Sequence, residues 1–117
     1  VYPETKATAE RMVIEANGKH GMLTCSLRPH LIWGPGDTNL IPRLVERSTS
    51  GRLVRIGEGT NRIGVTYVEN AADAHLLACD RLVEGSPAPG QCYFLNEPAP
   101  VNGWDFIGQL LEGLGCP

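Results

Sequence analysis

Residues 65–82, VTYVENAADAHLLACDRL, change their period part-way along. VTYV is a β-branched and aromatic run of the strand type. From Asn70 the apolar positions recur at helical spacing and set Ala74, Leu77, Ala78 and Leu82 on one inner face. Asn70 is a good N-cap, with the helix running to about Leu82, and Asp73 complements the positive end of its dipole. A strand that feeds a helix is the building unit of an α/β fold.

The alternation extends in both directions. Upstream, RLVRIGEGTNRIGVTYV (52–68) reads as two short strands around a Gly-Thr-Asn turn, a hairpin from Arg52 to Val68. Before it, WGPGDTN (33–39) is a loop of turn formers in which Asp37 or Thr38 caps a helix carrying Leu40, Ile41, Leu44 and Val45. That helix stops at Gly51, and Pro42 falls in its first turn, where it is tolerated. MLTCSL (22–27) is a short apolar run suited to a buried parallel strand, closed by Arg28-Pro29 because proline cannot donate to the ladder.

From Tyr2 to about Ala16 the chain reads as a helix with Tyr2, Lys6, Ala9, Val13 and Ala16 on one stripe, ended by Asn17 or Gly18 in a left-handed cap. Downstream, GSPAPG (85–90) is a surface loop and QCYFLN (91–96) a third apolar strand. Asn102 then caps a last helix with Trp104, Ile107, Leu111 and Leu114 inward. The whole pattern predicts an α/β protein with parallel strands.

Composition bounds what such a chain does. With 117 residues it can build one modest core, one domain or part of one. A net charge of −3 gives no basic field, which argues against nucleic acid and anionic membranes as partners. No apolar run is long enough to span a bilayer, and a secretory signal pattern is missing, so the expected setting is the cytoplasm. Cys25, Cys79, Cys92 and Cys116 form no C-x-x-C pair and no metal-ligand spacing, and they read as buried free thiols in a reducing compartment.

Tyr2 and Lys6 are four residues apart, hence neighbours on one helix face. A phenol is a poor base at neutral pH, but a fixed ammonium beside it favours the phenolate, and the pair can then shuttle a proton. The lysine's spare donors can also hold ribose hydroxyls. On its own, a Y-x-x-x-K pattern is common by chance, and on most helices it is a surface tyrosine beside a solvated lysine.

Four segments add context: YPETKATAE (2–10), LRPHLIWGPGD (27–37), VTYVENAADAHLLA (65–78) and CYFLNEPAPVNGWDFIGQLLEGLG (92–115). Together they resemble the C-terminal part of an extended short-chain dehydrogenase/reductase of the NAD-dependent epimerase/dehydratase superfamily. In particular they resemble its 3β-hydroxysteroid dehydrogenase and sterol-4-carboxylate 3-dehydrogenase branch. The resemblance implies the C-terminal part of a Rossmann-type parallel-sheet fold with a small substrate-binding subdomain. Residues 1–36 would end the dinucleotide-binding domain, 37–69 would form the substrate-binding segment, and 70–117 would add a helix, the last parallel strand and a C-terminal helix.

The same resemblance implies hydride transfer between NAD or NADP and a secondary alcohol or ketone. Tyr2 would exchange the proton with the substrate oxygen, and Lys6 would hold the nicotinamide ribose. Pro29, His30 and Leu31 would approach the nicotinamide end, in keeping with ligands lying beyond the carboxyl ends of parallel strands. His30 stays open between a second acid, a substrate contact and a packing residue. Trp33, Asn39 and Arg62 would belong to the substrate-binding region, with Trp33 and Trp104 also readable as core aromatics. His75 reads as structural packing and His20 as a surface residue at a helix end.

Sugar-nucleotide enzymes of the superfamily commonly carry an arginine-aspartate pair just before the aromatic-valine strand; here Ile63 and Gly64 stand there, with Arg62 one position earlier. An apolar substrate such as a 3β-hydroxysteroid is therefore expected over a sugar nucleotide. A nucleotide-sugar epimerase or dehydratase and a non-catalytic cofactor sensor remain the alternatives. The glycine-rich pyrophosphate turn and the serine or threonine partner of Tyr2 are expected upstream, in a longer enzyme of which these residues form about the last third. A homodimer through the helix bearing Tyr2 is the expected assembly.

Overall fold

The computed structural model describes residues 1–55 and 57–116. Along the chain run α1 (Tyr2–Glu15), β1 (Ser26–Pro29), β2 (Leu31–Trp33), α2 (Leu40–Thr49), β3 (Arg62–Ile63), β4 (Val65–Tyr67), α3 (Val68–Arg81), β5 (Cys92–Leu95), β6 (Val101–Asn102) and α4 (Gly103–Gly113). They divide into two units, Val1–Pro29 with Asn70–Leu95, and His30–Glu69 with Asn96–Pro117.

In the first unit β1 and β5 pair in parallel, from Ser26 opposite Cys92 to Pro29 opposite Leu95. Side chains alternate across such a ladder. Leu27, Tyr93 and Leu95 line a hollow with Ala74, Leu77 and Ala78 of α3. On the other face, Ser26 and Arg28 meet Glu10 of α1. Helix α1 thus meets one face of the ladder, and an open hollow separates the other face from α3.

The first strand starts later than MLTCSL suggests. Thr24 is already committed: its N–H donates to Asn17 Oδ1 at 2.9 Å, its hydroxyl to the Val13 carbonyl at 2.7 Å, and its carbonyl accepts from Gly90. Pro29 does not precede the end of the ladder but occupies its last position, where a missing N–H is tolerated. Gly18 takes the left-handed cap after α1, with φ 82°.

In the second unit β2 pairs in parallel with β4, Leu31 opposite Val65 through Trp33 opposite Tyr67. The pairing of β3 is antiparallel and with β6, Arg62 opposite Asn102 and Ile63 opposite Val101. Val65, Thr66 and Leu111 form its buried centre. Asn102 caps α4 as its position predicts, its Oδ1 accepting from the N–H groups of Trp104 and Asp105 at 3.0 Å each. At α2 the capping side chain is Asp37, which accepts from Asn39, Leu40 and Ile41.

Several expectations are corrected. No hairpin runs from Arg52 to Val68: among the described residues 52–61 hold no strand, and Ile56 lies outside them. The partner of β3 arrives from far along the chain instead, with Asn102 Nδ2 donating to the Gly59 carbonyl at 2.8 Å and Gly103 N–H to that of Asn61 at 2.9 Å. Helix α3 begins directly after β4, so Asn70 lies inside its first turn rather than capping it. Leu77 and Leu114 lie on the expected faces, each lining a hollow, but they are poorly covered there, 62 % and 50 % exposed. All four cysteines are free, but Cys79 and Cys92 are exposed, not core.

Candidate active site

The sequence of α1 builds a helix at once from its first residues. Pro3 sits in the first turn, where its fixed φ suits a helix start, and Glu4 complements the dipole. Thr5 donates its hydroxyl back to the Val1 carbonyl at 2.8 Å. Tyr2 and Lys6 are carried one turn apart, both exposed, so a phenol and an ammonium are offered on one stretch of helix. No residue of α1 is buried.

What fixes α1 to the ladder is charge. Glu10 accepts from Ser26 Oγ at 2.6 Å and from Arg28 Nε at 2.6 Å, and the second guanidinium arm closes a two-pronged pair. Arg28 in turn lies over the Phe94 ring, 5.2 Å from its centre. The guanidinium, then the Ser26 hydroxyl, hold the Glu10 carboxyl down to about 2 from the ordinary 4.5. A carboxyl lowered in the fold adds stability that is complete above its ordinary value and disappears as pH falls through the lowered one. Acid should therefore weaken the α1–β1 tie between about pH 4.5 and pH 2. Thermal melts across that window should show a smaller pH dependence in Glu10→Gln; an unchanged dependence would assign it to other carboxylates.

The second unit carries the remaining candidates. Trp33 packs on Tyr67, ring centres 4.9 Å apart, and edge-on to Phe106 at 5.3 Å. With Phe106, Gln109, Leu110 and Leu114 it lines a hollow of about 390 Å³, and no other candidate from the sequence lines it. Leu31 is exposed on β2. Asn39 is exposed at the start of α2, its N–H bound by Asp37, whose carboxyl the Asn39 and Ile41 amides hold below the usual carboxylate range. Arg62 donates to the Pro100 carbonyl at 3.3 Å, a fold contact that the reading of Arg62 as a ligand contact did not include. His30 is exposed and lies against Gly64.

Two participants escape sequence reasoning. Glu97 seals the edge of β4: its N–H donates to the Val65 carbonyl at 2.8 Å and its carboxylate accepts the Tyr67 N–H at 3.2 Å. Nothing local in NEP announces this, because its partners lie about thirty residues upstream. Phe106 reads only as one more apolar residue of an amphipathic helix.

The fold and the family both have relatives. The epimerase Mth375 of Methanothermobacter thermautotrophicus superposes with a TM-score of 0.74 at 21 % identity, over 97 % of this chain and 34 % of that one. That likeness places the elements in a Rossmann-type parallel-sheet fold. The 2-alkyl-3-oxoalkanoate reductase of Stenotrophomonas maltophilia is 45 % identical over 99 % of this chain and 35 % of its own length. A 3β-hydroxysteroid dehydrogenase/decarboxylase (isoform 2) of Arabidopsis thaliana is 44 % identical over 97 % of the chain and 21 % of its own length. The chain thus spans about a third or less of the curated relatives it matches, in their C-terminal part. Since the pattern of the 3-beta hydroxysteroid dehydrogenase/isomerase family matches residues 1–117 throughout, the chain belongs to that family.

Proposed function

We propose that the protein is an oxidoreductase that moves hydride between a nicotinamide cofactor, NAD or NADP, and a secondary alcohol or ketone on an apolar body. The observation that carries the reading is the Tyr2–Lys6 pair on α1, inside a chain matched end to end by the family pattern. When bound, the cofactor supplies the hydride acceptor or donor. The residues of α1 fit it: an exposed phenol and an exposed ammonium one helical turn apart can meet the same ligand. Tyr2 gives or takes the proton at the substrate oxygen. Lys6 donates to the ribose hydroxyls and places a positive charge beside the phenol.

Pro29, His30 and Leu31 follow or end β1, the side from which parallel strands present their ligands. Trp33, Asn39 and Arg62 serve the substrate. In this division residues 1–36 close the dinucleotide-binding part, 37–69 form the substrate-binding segment and 70–117 supply the last parallel strand and helix. The names of the two relatives, a 3-oxoalkanoate reductase and a 3β-hydroxysteroid dehydrogenase, support an apolar molecule with its oxygen on a secondary carbon.

The full-length protein should therefore oxidise a 3β-hydroxysteroid with NAD or NADP, or reduce a 2-alkyl-3-oxoalkanoate with the reduced cofactor, as followed by nicotinamide absorbance. Conversion of a UDP-sugar alone would contradict the substrate class, and cofactor binding without any turnover would favour a sensor. The same preparation should sediment as a dimer joined through α1, whose Met12 is 64 % and Val13 43 % exposed; a monomer would refute that assembly. Four free thiols support a reducing, cytoplasmic setting.

A further inference from the structure

We propose that Gly64 is a positioning residue for His30, its missing side chain leaving the place in which the imidazole lies. The proposal rests on the reading of His30 as a residue at the nicotinamide end of the site.

Three observations meet here. The β2–β4 register pairs Leu31 with Val65, and one step back along both strands sets His30 opposite Gly64. A Cβ added at Gly64 would stand 2.9 Å from His30 Cγ and 3.2 Å from both Cβ and Nδ1 of the same residue. Real Cβ atoms essentially never come within 3.0 Å of such a neighbour, so the approach to Cγ requires a shift, and the two at 3.2 Å are tight. Nor does the backbone require glycine: Gly64 is not among the residues of positive φ, unlike Gly34 and Gly36 on the neighbouring loop. Positive φ thus calls for glycine at those two positions, at Gly34 together with lack of space, while at Gly64 space for the imidazole is the reason that remains.

The location adds a reason for the arrangement. Gly64 is the single residue between β3, which pairs with β6, and β4, which pairs with β2. The backbone is therefore anchored on both sides, and a methyl group there cannot be absorbed by sliding either strand. The closest approaches are to the side chain of His30 and not to any backbone atom, so the shift is placed at the imidazole. Gly64→Ala should then displace the imidazole while leaving the fold in place. A displacement of about 1 Å in a group that meets substrate or cofactor is enough to cost up to about a hundredfold in rate.

The test compares Gly64→Ala, His30→Ala and the double variant in the full-length protein. Two readouts are used: the NMR cross-peak of the His30 imidazole, assigned by its loss in His30→Ala, and kcat/KM for the 3β-hydroxysteroid or 3-oxoalkanoate. Positioning predicts that Gly64→Ala shifts the cross-peak, lowers kcat/KM about 10- to 100-fold, and melts near the wild type. It also predicts that the double variant loses no more activity than His30→Ala. An unmoved cross-peak, or losses that multiply in the double variant, would overturn it. Should the wild type lack dehydrogenase turnover, the functional reading falls by itself, and the cross-peak alone still decides for or against Gly64.

Discussion

Tyr2→Phe in the full-length protein should retain cofactor affinity and lose about two to four orders of magnitude in turnover, the usual consequence of removing a general acid/base. The substitution deletes one oxygen and keeps the ring. Its structural cost is small, because phenylalanine keeps the shape and volume of the ring. Any large effect on turnover is therefore chemical. Steady-state kinetics with the cofactor saturating separates the two contributions, since kcat should fall while the cofactor dissociation constant holds. If the variant turned over at the wild-type rate, Tyr2 would be a surface tyrosine and the proton would have to come from elsewhere.

Gly34→Ala should be the most destabilising single methyl group in the second unit. Gly34 is buried with φ 141°, a backbone state that side chains resist, and its added Cβ would lie 2.5 Å from Val68 Cγ1 and 3.1 Å from Tyr67 Cε1. Strain and overpacking act together, and a loss of about 3 kcal/mol is expected from their usual sizes. Gly36 offers the contrast, two residues along the same loop. Its φ is 85° but nothing lies within 4 Å of an added Cβ, so Gly36→Ala should cost only the left-handed penalty, about 1 kcal/mol. Chemical denaturation of both variants reads the difference. Val68→Ala, which removes the methyl in the way, should recover part of the Gly34→Ala loss. Equal costs at the two glycines would show that the close approach to Val68 yields without effort.

Local rules were the part of this fold that the sequence made legible. Asn102 could be read as the α4 cap because capping needs only residues two and three positions on. The same holds for α1 and for Gly18 after it, and for the strand in QCYFLN. Long-range pairing was not legible. The two-residue strands β3 and β6 carry no periodicity of their own, and their residues 62 and 102 are brought together only by the finished fold. A stripe of apolar side chains also tells which residues share a face, not how deeply that face is covered, which is why Leu77 and Leu114 turned out exposed.

The candidate site divides along the same line. A spacing of four places Tyr2 and Lys6 together without any tertiary knowledge. Trp33 is reached through the family resemblance and as a core aromatic, but its contact with Phe106 joins residues far apart in the chain. Gly64 looked like a gap in a motif; only the register of β2 against β4 shows that His30 fills the space.

The most direct measurement is a crystal structure of the full-length protein with nicotinamide cofactor and an apolar alcohol or ketone bound. The account predicts the Tyr2 hydroxyl at about 2.6–3.2 Å from the substrate's reacting oxygen, with the Lys6 ammonium on the ribose hydroxyls. A substrate seated with its oxygen beyond reach of Tyr2, or a cofactor whose ribose lies away from Lys6, would contradict it.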